Sequence, residues 1–220
     1  MSRILVIAID GPAGSGKSTV AKAVAAKLGL PHVDTGAVYR ALTLKALNLG
    51  IAIDDAAALG ALAKETEIRL SEGRVFLDGA EVTSEIRTPH VTASVSELSS
   101  HPEVRERAVA LQRACASGDG VVMEGRDIGT VVLPLADLKI FLTADVSERA
   151  GRRRVDLEAE GVSRTVDEIA EEIQRRDKRD SERPASPLSV AQDAAVIDST
   201  GKSVEDVVNE ILELVRSKES

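Results

Sequence analysis

The segment Ile4-Leu5-Val6-Ile7-Ala8-Ile9-Asp10 runs directly into Gly11-Pro12-Ala13-Gly14-Ser15-Gly16-Lys17-Ser18-Thr19. Its first part is continuously apolar and stops at Asp10-Gly11-Pro12, the pattern of a strand buried on both faces of a parallel sheet. Its second part fits G-x-x-x-x-G-K-[ST], a loop whose glycines let the backbone curl until its N–H groups point inward. The helix start that follows adds positive potential, and Lys17 brings a full charge to outer phosphates. Val20, Val24 and Leu28 then recur at i, i+4 and i+8 before Gly29, predicting a helix of about three turns. Strand, loop and helix in this order point to a bound nucleoside triphosphate gripped by residues 11–19, with the Ser18 hydroxyl as a ligand for Mg²⁺. A glycine-rich turn without a ligand is the plain alternative.

Outward from this segment, short apolar runs recur at Pro31 to Val33, Val121 to Met123, Leu138 to Leu142 and Ala195 to Ile197, separated by stretches with helical spacing. Five strands alternating with helices predict an α/β fold with a doubly wound sheet. Thr165-Val166-Asp167-Glu168 reads as a capping box at a helix start; Thr88-Pro89 and Ser203-Val204-Glu205-Asp206 are weaker starts. Val104, Ala108, Leu111 and Cys115 are expected on one face of a helix ended by Gly118, which makes Cys115 a core filler. One stretch breaks the pattern. Glu67 to Leu70, Arg74 to Leu77 and Glu81 to Thr83 alternate with period two across Glu72-Gly73 and Asp78-Gly79 turns, predicting a three-stranded antiparallel meander. It reads equally as a decorative insert or as a flap over a substrate.

Composition narrows the function. The chain has 220 residues and a net charge of −8, with 43% hydrophobic and 29% charged residues, so a folded soluble domain is expected and disordered or collagen-like classes are excluded. The acidic balance implies no sequence-independent hold on nucleic acid or anionic membrane. Tyr39, Phe76 and Phe141 are the aromatic residues, too few for the stacking platforms of single-strand binders. A single cysteine allows neither an internal disulfide nor a zinc site and fits a reducing cytoplasm. No run approaches the roughly 20 apolar residues of a membrane span, and the apolar start is too short for a signal peptide.

The phosphate loop alone does not name a reaction, since switches, motors and kinases share it. A guanine switch needs Asn-Lys-x-Asp, but Asn48 and Asn209 are followed by Leu49 and Glu210. Glu124 could activate water in a motor, yet Gly125-Arg126-Asp127 follows it, an arginine and an acid that suit a second substrate better. Between Arg149 and Arg183 stand ten basic residues, nine of them Arg, against ten acidic ones. The guanidinium fork grips phosphate oxygens in pairs where Lys is a point charge, so Arg149, Arg153, Arg176 and Arg179 are candidate clamps. Glu171 to Arg175 and Glu172 to Arg176 have the i to i+4 order of a solvated helix face, which is the bland reading. Arg176, Asp180 and Arg183 share a helix face and could hold a sugar hydroxyl and a phosphate, or pair among themselves. Asp34-Thr35-Gly36 to Arg40 follows the second strand, where open α/β sheets place ligands; its hydroxyl, glycine and arginine could hold a second anion, or Asp34 or Thr35 merely caps the helix that ends before Gly50.

Taken together, these residues resemble the bacterial cytidylate kinase family, whose members phosphorylate CMP and dCMP with ATP. The likeness covers nearly the whole chain: Asp10 through Ser18, Asp34 to Arg40, Glu85-Ile86-Arg87-Thr88, Gly125-Arg126-Asp127-Ile128-Gly129-Thr130-Val131-Val132, and Arg176-Asp177-Lys178-Arg179-Asp180. It implies a single P-loop kinase domain over residues 1–220, with a five-stranded parallel sheet flanked by helices. A small antiparallel three-stranded insert at 66–86 on the acceptor side and a helical lid at about 149–164 are implied with it. It also implies that Thr35, Arg40 and Arg126 hold the acceptor phosphate. Ser96, Arg105 and Asp127 would read cytosine, Arg176 and Asp180 would contact the sugar, and Arg183 would lie nearby. Lys17, Arg126, Arg149, Arg153 and Arg176 would neutralise the moving phosphoryl group, with Mg²⁺ arriving on ATP. A cytoplasmic monomer, independent of nucleic acid and membrane, is the accompanying expectation.

Overall fold

The computed structural model describes residues 5–71, 73–116, 118, 120–159 and 161–219. Ile4, at the start of the expected strand, and Glu72, in the first expected turn, lie outside the described residues. Leu5–Asp10 forms β1 and Lys17–Leu28 forms α1, followed by β2 (His32–Asp34), α2 (Gly36–Asn48) and α3 (Ala56–Glu65). The short strands β3 (Ile68–Ser71), β4 (Arg74–Leu77) and β5 (Ala80–Glu81) come next, then a 3₁₀ turn at Glu85–Arg87 and helices α4 (Pro89–Leu98) and α5 (Pro102–Ala114). β6 (Gly120–Gly125) leads into a π-helical turn at Ile128–Val132 and then β7 (Leu138–Thr143). The chain finishes with α6 (Val146–Ala159), α7 (Val166–Glu182), β8 (Ala195–Asp198) and α8 (Val204–Glu219).

Among the described residues, the main sheet has five parallel strands in the order β2-β6-β1-β7-β8. β1 is central, as its continuous apolar run requires. Ile7 and Ile9 pack on one face against Val20 and Val24 of α1 and Val208 and Ile211 of α8, while Ala8 faces Val33, Met123 and Ile128 on the other. Full burial of each such aliphatic side chain is worth about 1.5–3 kcal/mol, so this double-sided layer is the main anchor of the phosphate loop. Because the strand order reverses at β1, the crevice at the carboxyl ends of β1 and β6 is where a ligand is expected in such a sheet.

The meander forms a separate antiparallel sheet, β3-β4-β5, and Val75 and Leu77 from it join Ala37, Ala41 and Ile86 in a core of their own. Asp78 and Gly79 both adopt positive φ, 49° and 86°, the requirement of a two-residue hairpin turn. The third strand begins earlier than expected, since the two-residue turn sets Ala80 opposite Leu77, and it ends sooner, because the Val75 N–H donates to the Thr83 hydroxyl at 3.1 Å instead of to a strand carbonyl. α6 and α7 make a helical pair around Ala150, Leu157, Ile169 and Ile173, and the lid segment expected at 149–164 comprises most of α6 and part of the turn into α7. The Thr165–Glu168 capping box starts α7, and a reciprocal Ser203–Asp206 pair starts α8. Cys115 corrects its expected place: α5 ends at Ala114, so this residue falls past the last buried turn and is exposed.

Candidate active site

The phosphate loop is held in shape from behind. A Cβ on Gly11 would come within 2.0 Å of the Leu142 carbonyl oxygen, and Gly11 has φ 151°, so only glycine lets β1 turn this close to β7. Lys17 starts α1 but folds back, its Nζ donating to the Pro12 carbonyl at 2.7 Å and to Ser15 Oγ at 3.4 Å. Burial, and then the nearby Arg126 charge, pulls its pKa down to about 7. The Ser18 hydroxyl donates to Glu124 Oε2 at 2.9 Å, and the other oxygen of Glu124 lies 3.3 Å from His32 Nε2.

Residues expected at the acceptor converge from six places in the chain. Thr35 is tied to β6, since its hydroxyl and its N–H both point to the Glu124 carbonyl, at 2.7 and 3.2 Å; it makes no side-chain cap for α2. Arg40 donates to Thr92 Oγ1 at 2.8 Å and the Ile86 carbonyl at 3.2 Å. Asp127 is the centre of a buried knot, accepting from Arg105 through Oδ2 and from Arg183 through Oδ1 at 3.4 Å. Asp180 makes a second, accepting from Arg126 at 3.0 Å and from the Ser96 hydroxyl at 3.3 Å. Burial pushes the Asp180 pKa up, but Arg126, Arg176 and Arg183 outweigh it and hold the group below the usual carboxylate range. Burial and the Arg126 charge lower Arg176 to about 10, and its Nε is buried without a hydrogen-bond partner. Asp180 and Asp177 offset part of this cost, so the charge has carboxylates near it while one N–H donor is left over.

Both groups face one cleft of about 1060 Å³. Ala13 to Thr19 line one wall; Thr35, Arg40 and Ser96 with Arg105, Arg126 and Asp127 line the other; Arg153, Arg176, Asp180 and Arg183 border it from the α6–α7 side. Gly11 and Pro12 sit behind the wall and shape it. Arg149 is the correction here. The residue is 5% exposed and its guanidinium turns beneath the loop, donating to the Ala13 carbonyl at 3.0 Å and to Asp177 at 2.6 Å, so it does not line the cleft. The solvated-face reading fails for Arg176 as well, because Glu172 pairs with Arg164 instead.

Three contributors escaped the sequence reading. Asp10, read as a strand terminator, accepts from the N–H groups of Ile128 and Gly129, both at 2.7 Å, and so fixes the turn that presents Arg126 and Asp127. Burial raises its pKa to about 6. Glu124, considered only as a water activator, stands beside Ser18. Arg152 donates to the Ser199 carbonyl at 2.8 Å beside the phosphate loop; only its place in the Arg152-Arg153-Arg154 run could have drawn notice. For Mg²⁺, the Ser18 hydroxyl and the Glu124 carboxylate supply the oxygen donors that hard cations take. Among the described residues no group of three His, Cys, Asp or Glu forms an all-protein metal cage, and a cation that keeps water and substrate phosphates needs none.

Comparison with known proteins gives one family. Residues 7–217 match the sequence profile of the cytidylate kinase family. The chain is similar to a cytidylate kinase of Desulfitobacterium hafniense (strain Y51), 51% identical over 99% of this chain and 95% of the relative. It is likewise similar to one of Pelotomaculum thermopropionicum, 54% identical over 94% of this chain and 93% of the relative. Among solved structures, an uncharacterized protein from Eubacterium ventriosum shares the fold at a TM-score of 0.54 and 17% identity, over 97% of this chain and 99% of that one.

Proposed function

The chain belongs to the cytidylate kinase family, and on that premise we propose that it transfers the γ-phosphoryl group of ATP to CMP or dCMP, giving ADP and CDP or dCDP. The observation that carries this reading is the single cleft with a phosphate loop on one wall and a charge-matched arginine–carboxylate basin on the other. ATP lays its phosphates on the amides of residues 13–18 and on Lys17. Ser18 and Glu124 would hold the Mg²⁺ that comes with ATP, and that ion would supply charge neutralisation at the outer phosphates.

The acceptor phosphate is met by Arg40, Arg126 and Thr35, and the sugar by Arg176 and Asp180, with Arg183 adjoining. An oxygen of that phosphate attacks the γ-phosphorus in line while the bond to the ADP oxygen breaks. Such a transfer needs alignment and charge neutralisation more than covalent help. Lys17, Arg126, Arg153 and Arg176 supply the neutralisation. Asp127, with Arg105 and Ser96 at hand, accepts from the exocyclic amine of cytosine and repels the carbonyl that uracil carries there. Closure of the lid at about 149–164 and of the 66–86 insert over the cleft excludes water, so that ATP goes to transfer.

Among the described residues no helix is long and apolar enough to cross a membrane. In this reading the protein is a cytoplasmic monomer of pyrimidine nucleotide metabolism, a single domain whose partners are its two nucleotides and not nucleic acid or membrane. The test is a coupled assay of ADP formation with ATP, Mg²⁺ and a panel of nucleoside monophosphates. CMP-dependent ADP release is expected, and UMP or AMP outpacing CMP about tenfold, a difference of about 1.4 kcal/mol, overturns the acceptor assignment.

A further inference from the structure

Arg149 and Asp177 form a clamp on the phosphate loop that neither residue type announces. Arg149 Nε donates to the Ala144 carbonyl at 3.0 Å, which fixes the guanidinium to its own helix start. Its NH1 donates to the Ala13 carbonyl at 3.0 Å and to Asp177 Oδ2 at 2.6 Å. The other oxygen of Asp177 accepts the Ala13 N–H, at a longer 3.4 Å. Both main-chain polar groups of Ala13 are thus engaged by the α6–α7 pair. Packing points the same way, since a Cβ on Gly14 would lie 3.3 Å from both Cβ and the carbonyl oxygen of Arg149. An ion pair that only stapled α6 to α7 would have no reason to include loop main chain.

The position of Asp177 on its helix gives the clamp a consequence. Arg176 and Asp180, at i and i+4, share the cleft-lining face of α7, whereas Asp177 is rotated about 100° from Arg176 toward the loop. One rigid helix therefore carries the acceptor-side residues and the anchor of the donor loop. We propose that Arg149 and Asp177 are positioning residues for phosphoryl transfer, setting the spacing between the phosphate loop and the acceptor face of α7 through their hold on Ala13. The inference rests on the transfer activity proposed above. It removes Arg149 from contact with the moving group and gives it a role behind the loop.

The experiment compares Asp177→Ala, Asp177→Asn and Arg149→Lys with the unaltered protein by kcat, KM for each nucleotide, melting temperature and amide hydrogen exchange at Ala13. Misplacing reacting groups by about an ångström can cost about a hundredfold, so Asp177→Ala is expected to lower kcat tenfold or more while KM for CMP moves less than about twofold. Exchange at Ala13 should quicken. Asp177→Asn, whose amide oxygen still accepts from the Ala13 N–H, should recover part of kcat, and Arg149→Lys should fall between the two. A melting temperature that drops while kcat of the folded enzyme is unchanged overturns the proposal, as does unchanged exchange at Ala13. If Asp177→Ala does not fold, the Asn and Lys variants carry the same comparison, and unaltered kcat in both is the overturning result. An unaltered protein that makes no ADP in response to CMP sinks the transfer reading instead, and the exchange data still decide whether the clamp exists.

Discussion

The donor wall of the cleft draws its positive potential from main-chain amides and one buried amine, whereas the acceptor wall draws it from guanidinium groups already matched with carboxylates. Lys17 spends its hydrogen bonds on the Pro12 carbonyl and Ser15 Oγ, and burial leaves it half-neutral near pH 7. Arg105 and Arg183 converge on Asp127, and Arg126 on Asp180. In the proposed reaction a polyphosphate completes the donor cradle. The facing basin already holds its carboxylates in ion pairs, so a ligand there must exchange existing bonds, while the unpartnered Nε of Arg176 is the donor it finds free. Substitutions on the donor side should therefore cost chemistry and little stability, and those on the acceptor side should cost both.

The largest effect expected is on Lys17→Ala. Loss of one preorganised charge-stabilising group lowers turnover by roughly 10²–10³-fold or more, about 3–4 kcal/mol of transition-state stabilisation. Because burial disfavours the charged amine, the melting temperature should hold or rise; a fall of more than about 5 °C would mean the cradle needs its lysine to fold. Asp127→Ala tests the other wall. It takes from the buried Arg105 and Arg183 the carboxylate they share, a loss of about 3–5 kcal/mol of stability, to be read from denaturant unfolding. CMP affinity and the preference for CMP over UMP should fall more than ATP affinity. An equal loss for both nucleotides would count against base reading by Asp127.

The same contrast explains what the sequence could and could not tell. Local chemistry was legible: the strand before Gly11, the Thr165 cap and the Asp78-Gly79 turn each depend on neighbours within a few positions, and each forms as read. Residues singled out through a motif, such as Lys17, Arg126 and Asp127, come together at one cleft. Destinations set by tertiary packing were not legible. Arg149 looked like its neighbours Arg152 and Arg153, and only the placement of α6 against Ala13 sends its side chain under the loop. Asp10 reaches Gly129 across 119 positions, so nothing local marks it as the support of the acceptor turn. Cys115 failed for a simpler reason, since helical spacing says which face a residue shares only while the helix continues.

Asp10 sharpens the contrast, because it belongs to the donor strand and serves the acceptor turn. Its pKa rises from 3.8 to about 6 on folding. Between those values the native state holds a proton that the unfolded chain has lost, so this group adds stability as pH falls through 6 and withdraws it as pH rises. The shift of roughly two units corresponds to at most about 3 kcal/mol. Asp10→Asn should flatten the stability profile between about pH 4 and pH 6. A profile as steep as that of the unaltered protein would show that the carboxyl ionises freely in the fold.

The smallest expected effect separates the walls without any change to the fold. At pH 8 Lys17 in the empty cradle is mostly neutral, since its pKa is about 7, while a terminal phosphate, with its second pKa near 6, is fully ionised. A bound polyphosphate restores the ammonium, so ATP binding should take up close to one proton, seen by calorimetry as a binding enthalpy that depends on the ionisation enthalpy of the buffer. By linkage the affinity for ATP should fall by at most about tenfold per pH unit above 7. CMP meets guanidinium groups that stay charged and an Asp180 held below the usual range, so its binding should take up almost none. The uptake should vanish in Lys17→Met. Equal uptake with both nucleotides would place the titrating group on the shared floor of the cleft and erase the electrostatic distinction between the two walls.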